Sequence, residues 1–211
     1  AEKLAEEMTQ EYPNHEFGWK ALGAVFRASG RQYDAMTAIQ KAVALAPDDA
    51  EAYSNLGNTL QDLGRLEDAE ASYRQAIALQ PDFAEAHYNL GNTLKALGRL
   101  EDAEASCREA IALKPGFAKA HNNLGNVLQD LGQLEEAAES YRQAIALKPD
   151  FAEAHSNLGI VLKDFGQLEE AEASHGQAIT LKPEYAGAHS NLGNVLHDLG
   201  RLEEAEASYR Q

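Results

Sequence analysis

A strict 34-residue spacing of prolines and glycines constrains the fold of this sequence more than any other feature. Two glycine series keep the interval without a gap, one from Gly23 to Gly193 and the other from Gly30 to Gly200. Three residue series that stay in phase along the whole chain indicate internal repeats, and repeats of this length form arrays of one supersecondary unit. The prolines that keep the interval are Pro13, Pro47, Pro81, Pro115, Pro149 and Pro183.

Each repeat contains two helical patterns, as the unit at residues 50–83 illustrates. Apolar residues from Tyr53 to Leu60 recur at the spacing of one face of an α-helix. Gly64 follows at the place where a residue of left-handed conformation commonly ends a helix. A second amphipathic pattern then runs up to Pro81, which cannot continue a helix. Each unit is therefore predicted to be a helix–turn–helix.

Small residues predict how the helices pack. Gly57 and Ala69 lack the bulk that would separate the paired helices, and Ala76 admits the next unit. No single unit can bury its own apolar stripes, whereas stacked neighbours can. The sequence therefore predicts that the units are stable only when several of them stack together.

The first full unit carries an aromatic residue, Leu-Gly, an alanine early in the second helix and a closing proline. This pattern resembles the tetratricopeptide repeat (TPR) family, and the resemblance covers the whole chain. It implies an all-α fold, a right-handed superhelical solenoid whose first helices line a concave groove. The residues that carry the resemblance are Trp19, Leu22, Gly23, Phe26, Ala35 and Pro47.

The period predicts the domain organisation. Residues 1–15 are expected to form the second helix of a partial repeat, and residues 186–211 a truncated repeat. Because the sequence begins with Ala1 and stops in mid-pattern at Gln211, we expect it to be a piece of a longer protein. Full repeats are predicted at 16–49, 50–83, 84–117, 118–151 and 152–185.

The repeats also resemble one branch of the family. A unit that opens with AEAHSNLG at residue 152 and another that closes with YRQAIALKPDF at residue 151 are similar to arrays ahead of O-linked N-acetylglucosamine transferases and other bacterial transferase domains. This resemblance implies an alternative function, the substrate-selecting arm of a larger enzyme such as a glycosyltransferase.

Two series of asparagines follow a second stripe on the predicted first helices. Asparagine is a poor residue in mid-helix, because its amide competes for backbone hydrogen bonds. Its amide both donates and accepts, so it can bind an extended backbone of any sequence, and the resemblance implies this role. Alternatively, each amide bonds to a neighbouring helix and fixes the twist of the array. The first series is Asn55, Asn89, Asn123, Asn157 and Asn191, and the second is Asn58, Asn92, Asn126 and Asn194, with Ile160 interrupting it.

Other polar residues on the same stripe lean acidic. We predict that they contact the ligand, and that an extended segment of neutral or basic character is preferred. Alternatively, these charged residues only form a solvated surface and contact no ligand. Ser54 and Asn89 occupy positions where the family's binders of acidic tails carry basic residues, which disfavours such a tail. The predicted contacts are Gln61, Asp62, Lys95, Gln129, Asp130, Lys163, Asp164 and Asp198.

Composition disfavours several classes of partner. The formal net charge is −16, which disfavours nucleic acid because phosphate neutralisation needs a basic face. No apolar run approaches the ~20 residues of a membrane span, so membrane insertion is not expected. Cys107 is the only cysteine, and a reducing compartment such as the cytoplasm fits this usage.

The histidines and the cysteine form no pattern typical of a catalytic or metal-binding site. Cys107 and His175 occupy the place of Tyr73 in different units, so they cannot form a nucleophilic pair within one repeat. The sequence has no phosphate-binding glycine loop and no H-E-x-x-H, so neither an enzyme nor a cofactor is predicted. Four histidines one repeat apart cannot surround one metal ion, and we expect them to pack in the aromatic position. They are His87, His121, His155 and His189.

Three functions are consistent with the sequence. The leading hypothesis is a protein–protein interaction scaffold that binds an extended polypeptide in its groove. The second is the transferase arm described above. The third is a module that associates head to tail, because apolar residues near both ends are expected to be partly uncovered. These are Leu196, Leu199, Leu202 and Tyr209 near one end, and Leu4, Ala5 and Met8 near the other.

Overall fold

The computed structural model describes all residues 1–211 and contains thirteen α-helices and no strands. The all-α fold predicted from the sequence is confirmed. None of the helices combines the length and the apolar character needed to cross a bilayer. The helices are α1 (Glu2–Glu11), α2 (Glu16–Ala28), α3 (Gln32–Leu45), α4 (Ala50–Asp62), α5 (Leu66–Leu79), α6 (Ala84–Ala96), α7 (Leu100–Leu113), α8 (Ala118–Asp130), α9 (Leu134–Leu147), α10 (Ala152–Asp164), α11 (Leu168–Leu181), α12 (Ala186–Asp198) and α13 (Leu202–Tyr209).

A glycine turn joins the two helices of each pair. At the end of α4, Gly64 has a φ of 73°, a left-handed conformation that a Cβ would strain. The backbone N–H of Arg65 donates to the carbonyl oxygen of Leu60 at 2.9 Å, which closes the turn. The equivalent glycines have φ values of 74° to 77°, so the predicted helix end is confirmed at every pair.

The chain divides into two compact units, residues 1–113 and residues 114–211. Within each unit every first helix packs on its own second helix, and that second helix packs on the next first helix. First helices also touch each other, α2 with α4 and α4 with α6 in the first unit, and α8 with α10 and α10 with α12 in the second. The first helices of a unit therefore form one layer.

Gly57 and Tyr73 show how closely the paired helices approach. Tyr73 is fully buried, and a Cβ added to Gly57 would lie 2.6 Å from its Cε1 atom. Ala69 and Ala76 are also fully buried. The close contact predicted at these small residues is confirmed, and a branched side chain at Gly57 should cost about 1–3 kcal/mol of overpacking.

Candidate functional site

Every residue predicted to bind a ligand lies on the first helix of a pair. We call the surface that these helices form within each unit the first-helix face. On α4 lie Asn55, Asn58, Gln61 and Asp62, on α6 Asn89, Asn92 and Lys95, on α8 Asn123, Asn126, Gln129 and Asp130, on α10 Asn157, Lys163 and Asp164, and on α12 Asn191, Asn194 and Asp198.

A hydrogen-bonded cluster closes the junction between repeats 50–83 and 84–117. The hydroxyl of Tyr73 donates to Asn58 Oδ1 at 2.8 Å and contacts Gln61 Oε1 at 3.1 Å. Asn89 Nδ2, from the next repeat, donates to the same Asn58 oxygen at 3.0 Å. Burial raises the pKa of Tyr73 well above its ordinary value, so its hydroxyl stays a donor. Asn58 and Asn89 therefore bond to each other across the junction.

The second unit repeats this cluster between repeats 118–151 and 152–185. Tyr141 donates to Asn126 Oδ1 at 2.8 Å and contacts Gln129 Oε1 at 2.9 Å. Asn157 Nδ2 donates to the same Asn126 oxygen at 3.0 Å. In both units, the amide oxygen of the second asparagine series is an acceptor for a tyrosine and for the next repeat. We call such a junction closed.

Asn55 and Asn191 belong to the first series, yet their side chains make no hydrogen bond. The residues that would supply their acceptor, by equivalence to Asn58, are Ala24 for Asn55 and Ile160 for Asn191. Neither replacement has a polar atom in its side chain. The first series therefore contains amides that are bonded within the protein and amides that are available, and the preceding repeat decides which.

A cavity opens beside Asn55, at the junction between repeats 16–49 and 50–83. Its volume is about 320 Å³, and Ala24, Ala28 and Ile39 form its apolar wall. Ile39 stands where Tyr73 stands in the following repeat, so this junction lacks both the phenol and the amide of a closed junction. We call it the open junction.

Ion pairs neutralise part of the acidic stripe. Arg27 Nε lies 2.5 Å from Asp62 Oδ2, and Lys163 Nζ lies 3.0 Å from Asp198 Oδ2. The hydrogen bond from Lys163 lowers the pKa of the Asp198 carboxyl, with a smaller contribution from His197. Both aspartates are therefore internally paired.

The recurring histidines hold the loops that precede the first helices. His87 and His189 place Nε2 at 3.0 Å and 2.8 Å from the carbonyl oxygens of Pro81 and Pro183. Trp19 Nε1 donates in the same way to the carbonyl oxygen of Pro13 at 2.9 Å, so histidine replaces the indole N–H as a donor. His121 and His155 make the same bond.

Cys107 and His175 are fully buried on second helices, each against the glycine of its own pair. Cys107 Sγ lies 2.7 Å from the position of a Cβ on Gly91, and His175 Nε2 lies 2.7 Å from that on Gly159. Neither ring nitrogen of His175 has a hydrogen-bond partner. Both side chains are therefore core residues at the place that Tyr73 has in its own repeat, as predicted.

Family models identify the repeats. A model described as TPR repeat matches residues 23–64, 125–164 and 161–200, and models described as tetratricopeptide repeat match residues 54–116 and 106–139. The chain belongs to the tetratricopeptide repeat family. A search of curated protein sequences finds no match.

Solved structures share this TPR fold. MamA is 29% identical, with a TM-score of 0.70 over 78% of this chain and 96% of that chain. The pilF protein of Pseudomonas aeruginosa is 19% identical, with a TM-score of 0.83 over 92% of this chain and 88% of that chain. YrrB, described as a TPR protein with an unusual peptide-binding site, is 20% identical, with a TM-score of 0.70 over 95% of this chain and 100% of that chain.

Three residues that shape the open junction were not predicted from the sequence, Ala24, Arg27 and Ile39, whereas Ile160 was predicted only as a break in the second asparagine series. The missing signal is an alternation between successive repeats. Aligned with Tyr73, the chain reads Ile, Tyr, Cys, Tyr, His, Tyr. Aligned with Gln61 it reads Arg, Gln, Lys, Gln, Lys, and the alternation ends at His197. Successive repeats therefore differ from each other more than alternate repeats do at the position of Tyr73.

Proposed function

We propose that this TPR array binds an extended polypeptide segment along its first-helix face. TPR repeats are protein-interaction scaffolds, and one structure of the same fold, YrrB, is described as having a peptide-binding site. The observation that carries the proposal is the pair of amides on Asn55 and Asn191, which face no hydrogen-bonding partner within the protein. A side-chain amide can donate to a peptide carbonyl and accept from a peptide N–H, whatever the side chains of that peptide.

The charges of this face support a neutral or basic segment. Asp62 and Asp198 are neutralised by Arg27 and Lys163, whereas Asp164 is exposed without an ion pair. The formal net charge of the whole chain is −16, which repels acidic segments at long range. The segment is therefore expected to be uncharged where it meets the paired residues and to tolerate basic residues elsewhere.

The test is a selection of 12-residue peptides from a random displayed library against the intact chain. Hydrogen exchange in the presence of a selected peptide should show slower exchange in a first helix that carries an available asparagine, α4 in the first unit or α12 in the second. The enriched peptides should be neutral or basic. Failure to enrich any peptide, or protection confined to the second helices, would overturn the proposal, and enrichment of acidic peptides would overturn its charge preference.

We propose end-to-end association as a second function, on the basis of exposed apolar side chains. Leu202 is 61% and Tyr209 49% exposed on α13, and Leu4 is 63% and Tyr33 72% exposed on α1 and α3. The expected exposure of Leu196 and Ala5 is wrong, because both side chains are buried in the stacked helices. Exposed apolar side chains that lie together as one patch are typical of interaction surfaces, and Leu202 and Tyr209 are on the same short helix. Sedimentation should show a mass that rises with concentration, and Leu202→Glu should abolish the rise. A constant monomer mass would refute this function.

A further inference from the structure

One position on the first-helix face decides whether the next repeat's asparagine is bonded or available. Asn58 and Asn126 precede Asn89 and Asn157, and both of the latter donate to them at 3.0 Å. Ala24 precedes Asn55, whose amide makes no hydrogen bond. Ile160 and Asn191 show the same relation in the second unit. Asn157 Nδ2 also lies 3.2 Å from Asn122 Oδ1, an amide that Lys20 and Ser156 replace before Asn55 and Asn191. The repeat that precedes each unbonded asparagine therefore lacks the amide oxygens that serve as acceptors at the closed junctions.

At the open junction, the space of the missing groups is empty. Ala24 replaces Asn58 and Ile39 replaces Tyr73, and the cavity of about 320 Å³ lies between their short side chains and Asn55. In the closed junction, the chain's own amide and phenol occupy the equivalent place. The closed junction thus shows which chemistry complements the open one: a carbonyl oxygen for the asparagine N–H, next to a group of largely apolar surface.

We infer that the open junction is a peptide subsite in which a main-chain carbonyl of the ligand accepts from Asn55 Nδ2 and an adjacent uncharged apolar side chain fills the cavity. This inference rests on the proposed function, since it places one residue of the extended segment in a defined pocket. An amide oxygen of the ligand then takes the role that Asn58 Oδ1 has in the closed junction.

The charged residues around the cavity favour an uncharged side chain of the ligand. Arg27 and Asp62 line the cavity and lie 2.5 Å apart, so each neutralises the other. A charged ligand group would have to separate this pair and lose water, whereas an apolar group only covers Ala24, Ala28 and Ile39. The subsite therefore prefers an aliphatic or aromatic residue at one position of the segment.

Closing the junction tests the inference. The double variant Ala24→Asn, Ile39→Tyr rebuilds the combination found in three other repeats. It should fold, because Gly23 packs directly against Ile39 in the same way that Gly57 packs against Tyr73. The probe is the strongest-binding peptide selected above, labelled with fluorescein and measured by anisotropy. We expect a loss of affinity of about tenfold or more, since one hydrogen bond and one buried side chain are removed.

Control variants separate the outcomes. Ala24→Asn alone supplies the oxygen to Asn55 with a smaller change, and it should weaken binding in the same direction if the double variant does not fold. Arg65→Gln, a change already present in the chain as Gln133 and Gln167, should leave affinity unchanged. Unaltered affinity in both closing variants would overturn the inference and leave the proposed function standing. Absence of any peptide bound to the first-helix face would instead refute the proposed function.

Discussion

Lowering the pH from about 7 to about 4.5 should destabilise the second unit through His175. The side chain is fully buried, and neither of its ring nitrogens has a hydrogen-bond partner. Burial alone lowers the pKa of His175 from 6.5 to about 4, because no charged group contributes. Tyrosine fills the equivalent space in three other repeats and cannot take up a proton.

The direction and size of the effect follow from the two pKa values. Between pH 6.5 and about 4, the unfolded chain binds a proton on His175 that the folded chain does not. The free energy of unfolding therefore falls as the pH falls through this window and is unaffected above it. At 1.36 kcal/mol per pH unit, full protonation of the unfolded state at pH 4 costs about 3 kcal/mol.

The measurement compares urea unfolding of the wild type and His175→Tyr at about pH 7 and about pH 4.5, because other groups also titrate in this range. The wild type should lose about 2–3 kcal/mol more than the variant on acidification. Adding Ile160→Asn gives the new tyrosine hydroxyl its usual acceptor and should stabilise the variant further by about 1 kcal/mol. Equal acid sensitivity of wild type and His175→Tyr would refute the reasoning.

Three further changes test the packing of the repeats. Tyr141→Phe removes the donor to Asn126 and should lower the free energy of urea unfolding by about 1 kcal/mol, so an unchanged midpoint would contradict the closed junction. Gly132→Ala puts a Cβ at a φ of 75° and should lower stability by about 1–2 kcal/mol, whereas a raised melting temperature would show that the turn has no such constraint. Arg99→Gln removes an ion pair to Glu70 and should cause a smaller loss that shrinks in high salt, so a loss independent of salt would exclude an ionic origin.

The fold could be predicted because local backbone chemistry and helix packing indicate the same helix–turn–helix in every repeat. Gly64 ends a helix by its own conformational freedom, and Pro81 ends the next by lacking an N–H. Gly57 predicts a close helix contact, since nothing else explains its place on an apolar stripe. These effects act within one repeat, and 34-residue spacing then repeats them along the chain.

The roles of the asparagines could not be predicted in this way, since they depend on distances between repeats. Asn89 Nδ2 reaches Asn58, 31 residues earlier, and the choice of partner depends on how closely the first helices lie. The sequence left two interpretations open for both series, ligand contact and bonding to a neighbouring helix. In the structure, Asn58 and Asn89 are hydrogen-bonded to each other within the protein. Ligand contact is proposed for Asn55, whose amide has no such partner.

Duplication explains how one residue type has two roles in this array. A copied repeat carries its asparagines with it, so Asn55 and Asn89 are the same residue in the same helical position. What differs is the residue one repeat earlier, Ala24 for the former and Asn58 for the latter. An apolar residue in place of the accepting asparagine leaves the amide N–H of the next repeat unbonded, although that amide itself is unchanged. Ile39 is smaller than the tyrosine that it replaces, so the space beside Asn55 remains empty. Variation at a few positions that neighbour the asparagines therefore determines which amides are bonded within the protein, and in our proposal the unbonded ones contact the ligand.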